Sequence, residues 1–568
     1  MPGAPSVGGS GGPFVAPPVP ICTAYDNAAM RDLRRAILWT TLVLAVTVPP
    51  GRGTAAPPTS VEGVPIDPDA ELVVALTDDT TNMDPRLGMG SIRSNYIRQV
   101  FESLVDVDRQ GKPVPGLALS WKPVNDLTWE FALRRGVAFH DGEPFNADTV
   151  LFNLDRMFRK NLDRWGIKDV PAGTAFDKIY PFVTRWEKVD DFTVRVHTSE
   201  PSASLWDSLG REPLVPRAWT IKNGVDALND KPVGTGPWKL VEWKRKDHMS
   251  FERNDAYWGA PPLTRRLRLQ VIPEAAARIA ALRAGQVHLV EAVPPLDADV
   301  LGRNPAVKVV SSVQKLACRI YLNGRGKDTY ESGGKDGAFI DPRVRMALNL
   351  AVNREAIIAK IFYGLAVVNA SPVATVAYGH APQPPYPYDP ARAKALLAEA
   401  GWSAAQPLTM QLLLPAKHYG QAFDETVGAV VEMLKAVGVQ VTVQTLDFGT
   451  LLQTLTKGTL PPSGAFAACR TSNNLDADDF VRDWASTTLV NWTPYPPELL
   501  TLYQATRRQV DARKRLAALA ELQQKIREWA PVVSLYQEKK AYAHVTRVLQ
   551  FVPTQELNMD FRGVALKR

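Results

Sequence analysis

The chain has 568 residues, of which 45% are hydrophobic and 22% are charged, and its formal net charge at pH 7 is +7. This composition is typical of a globular protein, and the length exceeds the roughly 250–300 residues that one hydrophobic core supports, so we expect at least two lobes. The positive charge is spread along the chain without a long basic run, which argues against a nucleic-acid-binding function.

The N-terminal segment has the features of a secretory leader. Residues 1–29 are rich in Gly and Pro and are interpreted as a non-native or disordered leader. Residues 30–56 combine a basic start, the apolar run Ala36–Val48 and small residues before Ala56, which predicts a signal peptide removed near Ala56; a membrane anchor is the alternative. Cys22 precedes the apolar run, so a lipid anchor is not supported. No later segment is apolar over 18 residues, and the mature chain is expected to be soluble.

Downstream of the leader, strand and helix patterns alternate. ELVVAL (71–76) is a β-branched run typical of a buried strand, and SIRSNYIRQVFESLV (91–105) has helical spacing. LTWEFALRRGVAFH (127–140) alternates like hairpin strands, and Asn146 is placed to cap the helix that follows. Later helix and strand patterns cover residues 273–293, 341–364, 425–447 and 513–537. The sequence therefore predicts an α/β fold with mixed sheets.

The cysteines and histidines give no metal or catalytic motif. Cys22, Cys318 and Cys469 stand far apart, without ligand spacing, so a zinc site is not expected; Cys318 and Cys469 can pair only if the fold brings them together. A formal G-x-S-x-G occurs only in the leader, without its strand and helix, and the histidines are scattered. We predict no catalytic residue, no metal and no cofactor.

The segment ACRTSNNLDADDF (468–480) holds three acids and invites a calcium-loop interpretation. That interpretation fails, because Asp479 stands where the loop needs glycine and Ala485 stands where it needs a bidentate glutamate. The acids are otherwise typical of a turn and a helix start.

Five segments together resemble the solute-binding proteins of ABC importers in the peptide/nickel family, family 5 or cluster C. They are LRRGVAFHDGEPFNADTVLFNLDRM, VGTGPWKLVEWKRKDHMSFERNDAYWG, VIPEAAARIAALRAGQVHLV, DPRVRMALNLAVNREAII and YPYDPARAKALLAEAGW. They occur in the family's order and span nearly the whole mature chain. The resemblance implies a periplasmic monomer that delivers a small solute, peptide-like, acidic, blocked or sugar-like, to an ABC permease in the inner membrane.

The resemblance also implies a type II periplasmic-binding-protein fold, in which two lobes are joined by a two-crossover hinge. Lobe I is expected over 67–310 and 515–568, with an inserted subdomain at about 111–225, and lobe II over 311–514. Ligand would be enclosed by hinge closure.

Family ligands lie between the loop after the first strand and a loop of lobe II. In peptide-binding members an acid of the second loop receives the ligand's amino group, and Asn473 stands at that position here. A free α-amino ligand is thereby placed in doubt, unless the alignment slips and Asp476 is the amine partner. The predicted ligand contacts are Met89, Gly90, Ser91, Arg319, Tyr321, Arg470, Asn473, Asn474 and Asp476.

Two other functions stay open on the sequence alone. A secreted α/β hydrolase would need a nucleophile and base in the cleft, which no motif provides. A sensor subunit would hand its ligand-bound state to a membrane receptor instead of a permease.

Overall fold

The computed structural model describes residues 58–568 except for a few short segments. The segments outside the description are 88–90, 109–110, 169–175, 325–336, 462, 473, 486–495 and 556–558. All described residues belong to one contact unit, Ala56–Arg568.

The described elements alternate between strands and helices along the chain. The strands are β1 Ser60–Val61, β2 Val64–Pro65, β3 Glu71–Leu76, β4 Val105–Val107, β5 Pro113–Pro115, β6 Ala118–Asn125, β7 Thr128–Leu133, β8 Val183–Asp190, β9 Thr193–Thr198, β10 Trp238–Lys244, β11 His248–Arg253, β12 Arg266–Val271, β13 Leu289–Val290, β14 Val307–Leu322, β15 Ala366–Val367, β16 Leu408–Pro415, β17 Val439–Leu446, β18 Gly464–Arg470, β19 Val532–Val545, β20 Val548–Leu549 and β21 Ala565–Leu566. The α-helices are α1 Ser91–Val100, α2 Ala147–Phe158, α3 Phe176–Ile179, α4 Leu205–Ser208, α5 Arg217–Asn223, α6 Ala275–Arg283, α7 Pro295–Leu301, α8 Pro342–Leu350, α9 Arg354–Lys360, α10 Pro390–Glu399, α11 Gln421–Ala436, α12 Phe448–Lys457, α13 Ala477–Ala485, α14 Pro497–Arg508 and α15 Ala512–Trp529. The predicted α/β class is confirmed.

The largest sheet has 11 strands and runs through most of the protein. Its order is β10-β11-β12-β3-β13-β19-β14-β18-β16-β17, and β15 pairs with β19 off this path. The sheet is mixed: β3 is parallel to β12 and β13, and β16 is parallel to β17 and β18. The two parallel groups lie on opposite sides of the long antiparallel pair β14 and β19.

The two parallel groups run in opposite directions along β14. β13 is antiparallel to β19, and β19 is antiparallel to β14, so β13 and its parallel partners run with β14. β18 is antiparallel to β14, so β16, β17 and β18 run against it. The carboxyl ends of both groups consequently point toward the middle of β14.

Three groups of buried side chains stabilise this arrangement. One packs on β3, β12 and the carboxyl half of β19, and includes Leu72 and Leu267. A second packs around β16, β18 and the carboxyl half of β14, and includes Ile320 and Leu412. The third lies under the separate four-stranded sheet β6-β7-β9-β8, where Phe131 packs with helix α2.

Several local predictions are confirmed and two are wrong in extent. Asn146 caps α2 by accepting a hydrogen bond from the Thr149 backbone N–H. The predicted helix after residue 91 ends at Val100, because the Val100 carbonyl accepts a hydrogen bond from the N–H of Gly236 at 2.9 Å. The predicted hairpin in 127–140 has only one long strand, β7, which pairs with β6 and β9 instead.

Cys318 and Cys469 form a disulfide that joins β14 to β18. The two residues are directly opposite each other in the antiparallel register. The pairing that the sequence left open is therefore present, and it closes a loop of 151 residues.

Candidate functional site

The middle of β14 is the place where the two sets of carboxyl ends meet. β13 ends at Val290, which is level with Val309 through the intervening strand β19, and β18 ends at Arg470, opposite Ala317. The stretch between these levels is roughly 25 Å long at about 3.3 Å per strand residue. We call its residues, Val310–Leu316, the cleft floor. Ligands of α/β sheets bind outside the carboxyl ends of the strands, so this is the candidate site.

The cleft floor carries buried polar side chains where a core strand would be apolar. Ser312, Gln314 and Lys315 are all buried, and the Gln314 side-chain amide donates to the Ser312 hydroxyl at 2.7 Å. The side-chain amide of Gln537 on β19 donates to the Gln314 carbonyl at 2.6 Å. The register of β14 against β19 is irregular between Val313 and Ala317, and Gln314 and Lys315 lie within this irregular stretch.

Lys315 is the charged residue of the floor. Its side chain is 6% exposed, and burial lowers its pKa to about 7. The charge of Arg211 acts in the same direction, while the charges of Asp207 and Asp479 act against it. An ammonium group at this position therefore lies within reach of charges from both sides of the cleft.

One wall of the cleft follows strands β3 and β13. The backbone N–H and the hydroxyl of Thr77 donate to one Glu291 oxygen at 3.0 and 3.2 Å, and the Lys540 ammonium bonds the other oxygen at 2.6 Å. Burial acts to raise the pKa of Glu291, but Lys540 and Thr77 outweigh it and the pKa is lowered. This wall therefore contains an ion pair of the buried Glu291 with the half-buried Lys540.

The loop that leads into α1 is held by a second buried ion pair. The Asp84 carboxylate accepts from the Arg156 guanidinium at 2.8 and 3.3 Å, and Arg93 donates to the Asp84 carbonyl. Met89 and Gly90 lie outside the described residues, and Ser91 is the first residue of α1. Their roles as ligand contacts stay predictions.

On the opposite wall, Arg319, Tyr321 and Arg470 are brought to one face of the sheet by the pairing of β14 with β18. Tyr321 stacks on Phe466 with ring centroids 4.7 Å apart. The Arg319 guanidinium donates to the Pro372 carbonyl at 2.9 Å, and burial lowers the pKa of Arg470. Three predicted contacts therefore share one face of this wall, with Arg319 and Tyr321 buried and Arg470 half-buried.

The segment after β18 begins helix α13 and faces the cleft. Asn474 shares a hydrogen bond with Tyr180, and its backbone N–H donates to the Ser472 hydroxyl at 3.0 Å. Asp476 is 1% exposed, and its two oxygens accept from the Arg515 guanidinium at 2.6 and 2.7 Å. This pairing favours the structural role of Asp476; its amine-partner role gains no support from the described contacts and stays a prediction.

Asn473 lies outside the described residues, so its predicted contact is neither supported nor contradicted. Across the described ranges, no group of three or more His, Cys, Asp or Glu side chains is placed to hold a metal ion.

The sequence did not single out the charged residues of the 205–212 segment. Asp207, Arg211 and Glu212 lie across the cleft from residues 472–479, and Asp207 is hydrogen-bonded to that segment. Burial raises the pKa of Glu212 to about 7. The one available signal was the spacing of Asp207 and Arg211, four residues apart in the stretch LWDSLGREPLV.

Two facing sheet edges on either side of a crossing strand pair define the type II periplasmic-binding-protein fold. Solved structures agree: HbpA2 from Haemophilus parasuis aligns with a TM-score of 0.77 and 22% identity over 88% of this chain and 100% of its own. DppA from Helicobacter pylori in complex with peptide STSA aligns with a TM-score of 0.68 and 23% identity over 88% of this chain and 98% of its own.

Residues 112–491 match the bacterial extracellular solute-binding proteins, family 5. The chain belongs to this family. It is 29% identical over 387 residues to the glutathione-binding protein GsiB of Pectobacterium atrosepticum, covering 67% of this chain and 70% of that protein. It is 26% identical over 530 residues to GsiB of Salmonella typhimurium, covering 89% and 97%.

Membership confirms the predicted class and function: the chain is a solute-binding protein that delivers its ligand to an ABC importer. Members of this family are periplasmic binding proteins, and their partners are a small-molecule or peptide ligand and an ABC permease. None of the helices in the described part of the chain combines the length and hydrophobicity that a bilayer crossing requires.

Proposed function

We propose that this protein binds a short, acidic, peptide-like solute on the cleft floor and carries out no chemistry of its own. The observation that carries the proposal is the buried ammonium of Lys315, which lies where the carboxyl ends of both parallel strand groups converge. A ligand carboxylate that reaches this ammonium gains a charge-assisted hydrogen bond, which offsets the desolvation of both groups.

The charges around the floor favour an acidic ligand over a free amine. Lys315 and Arg470 contribute cations, and Arg211 contributes a third that already bonds Asp207. The pKa of each is lowered chiefly by burial, so an added anion nearby would stabilise the charged forms. Two acids of the facing segment have cationic protein partners: Asp476 bonds Arg515, and Asp479 bonds Arg482 as well as Ser472. The third, Asp478, accepts from the Ser204 hydroxyl at 3.4 Å. The named ligand of the curated relatives, glutathione, is a tripeptide with two carboxylates.

We place the hinge in the long strands β14 and β19, which carry the chain between lobe I (67–310 with 515–568) and lobe II (311–514). The inserted subdomain at 111–225 corresponds to the third buried group, under the β6-β7-β9-β8 sheet. Leu519 and Ile526 of α15 pack with Phe466 in the second lobe, which favours moving the return crossing from 515 into β19. Closure about these strands encloses the ligand.

The proposed location is the periplasm, after removal of the signal peptide 30–56 and without a lipid anchor. The Cys318–Cys469 disulfide supports an oxidising compartment. We propose that the mature chain acts as a monomer and meets the permease with its two lobes closed.

The ligand class is tested by thermal unfolding of the purified protein with three compounds. Glutathione has two carboxylates and a free α-amino group, N-acetyl-aspartyl-glutamate has three carboxylates and no free amino group, and trialanine has one carboxylate and a free α-amino group. We expect the two acidic compounds to raise the unfolding midpoint; a ligand at 100 times its Kd adds about 2.7 kcal/mol.

The matched variants are Arg470→Met, beside the floor, and Lys122→Met, whose side chain is 68% exposed. The first should remove the shift and the second should retain it. A larger shift with trialanine, or no shift with either acidic compound, would contradict the proposed ligand class.

A further inference from the structure

One carboxylate links the 205–212 segment to the start of helix α13. An Asp207 oxygen accepts hydrogen bonds from the backbone N–H groups of Leu475 at 2.8 Å and of Asp476 at 2.7 Å. The other oxygen accepts from the Arg211 guanidinium at 3.0 Å, and Asp207 is 1% exposed. Asp207, which is 268 residues from Leu475 in sequence, therefore bonds the backbone just before helix α13.

The backbone that Asp207 bonds is held from its other side by Tyr378. The Tyr378 N–H donates to the Leu475 carbonyl at 2.7 Å, and its carbonyl accepts from the Ala477 N–H at 2.8 Å. The Trp206 ring meets the Tyr378 ring edge-on, with centroids 5.7 Å apart. Residues 475–477 thus lie between helix α4, which carries Asp207, and the segment that carries Tyr378. Of these two, only α4 lies in the proposed inserted subdomain.

Two further contacts join residues 200–203 to Arg507 of helix α14. The Ala203 N–H donates to the Arg507 carbonyl at 3.0 Å, and the Arg507 guanidinium pairs with Glu200 at 3.0 Å. Glu200 is 44% exposed, so this pair is weak, whereas the Asp207 bonds are shielded from water. The buried bonds of Asp207 therefore hold the segment from this side, while Tyr378 and Arg515 hold it from the other.

We propose that Asp207 is a positioning residue for ligand binding: it fixes residues 474–476 across the closed cleft and so sets how long the cleft stays closed. The inference rests on the proposed function, because these residues border the proposed ligand site. The segment carries Asn474, a predicted ligand contact, so loss of the Asp207 bonds would loosen a wall of the site as well as the closed arrangement.

Titratable and charged groups face Asp207 from each element packed against it. They are Arg211 and Glu212 from its own segment, Tyr180, Lys315 of β14 and Asp476 before α13. Burial raises the pKa of Asp207, and the Arg211 charge opposes the rise. Its carboxylate is therefore protonated, and accepts fewer hydrogen bonds, at a higher pH than an exposed aspartate.

Amide hydrogen exchange of the ligand-free protein tests this role without knowledge of the ligand. Asp207→Asn should speed exchange at Leu475 and Asp476 at least tenfold, while amides of β18 keep their rates. The control, Glu200→Gln, neutralises the exposed acid that pairs with Arg507 and should leave both amides unchanged. Equal rates in the wild type and Asp207→Asn would overturn the proposal.

A pH series on the wild type supplies a second readout if Asp207→Asn does not fold. After correction for intrinsic exchange, acidification should reduce protection at Leu475 and Asp476 before it reduces protection at Phe480 and Val481 of α13. A purely structural contribution would lower all four together and would overturn the proposal. Neither outcome depends on the thermal-shift test of the ligand class, so the two proposals fail separately.

Discussion

The carboxylate of Asp84 and the guanidinium of Arg156 form a buried two-bond ion pair, with N–O distances of 2.8 and 3.3 Å. The pair ties the loop before α1 to helix α2. Burial acts to raise the pKa of Asp84, but the charges of Arg156 and Arg86 outweigh it and the pKa is lowered. Removal of Arg156 would leave a buried carboxylate without its main partner, which is more costly than loss of an exposed pair.

We predict that Arg156→Met lowers the free energy of unfolding by about 3–5 kcal/mol. The matched control is Lys122→Met, which removes the exposed pair with Glu130 and should cost less than about 1 kcal/mol. Urea unfolding of the three proteins provides the measurement. Similar losses of unfolding free energy for both variants would contradict the larger contribution predicted for the buried pair.

The glycines of the VGTGPW motif have a packing role. A Cβ on Gly234 would lie 1.9 Å from the Val100 carbonyl oxygen, and a Cβ on Gly236 would lie 2.6 Å from it. We predict that Gly234→Ala destabilises the protein by about 1–3 kcal/mol, because the backbone must move away. Gly428→Ala, in the middle of α11 with open space around the new Cβ, should instead stabilise by about 0.5–1 kcal/mol. Changes in the unfolding midpoint that have the same sign for both variants would refute this explanation.

Lys315 predicts a pH dependence of stability in the ligand-free protein. Its pKa falls from the ordinary 10.5 to about 7 on folding, so between these values the unfolded chain binds more protons than the folded one. Stability attributable to Lys315 should therefore rise as the pH increases from about 7 to 10.5, by up to about 5 kcal/mol.

The measurement is the difference in unfolding free energy between the wild type and Lys315→Met at several pH values. The variant should be more stable than the wild type near neutral pH, and its advantage should vanish toward pH 10. Lys308→Met, at the exposed amino end of the same strand, should show no such trend. A pH-independent difference for Lys315→Met would contradict the buried-ammonium account.

The sequence predicts what local patterns encode. The run ELVVAL becomes β3, Asn146 caps α2 as its motif indicates, and the glycines of VGTGPW stand where only glycine fits. These features depend on neighbours within a few residues, so periodicity and capping rules can detect them. Family motifs supplied the rest of the fold, because their order along the chain matches a known architecture.

The site was harder to predict from the sequence than the fold, because its residues are distant from one another along the chain. Asp207 bonds residues 268 positions away, and Lys315 meets Arg211 and Asp479 only after β14 crosses the cleft. Nothing around Lys315 in VQKLA distinguishes a buried lysine from an exposed one. Asp476 shows the opposite case. Its position in the loop predicted a ligand contact, but in the fold its carboxylate pairs with Arg515.

Native mass spectrometry tests the central claim, that solute is bound on the floor of β14, most directly. The wild type, purified without denaturation and incubated with glutathione, is compared with Lys315→Met and with the matched control Lys308→Met. We predict one bound molecule per chain in the wild type and in Lys308→Met, and at least a tenfold loss of occupancy in Lys315→Met. Equal occupancy in all three proteins, or none in the wild type, would contradict the account.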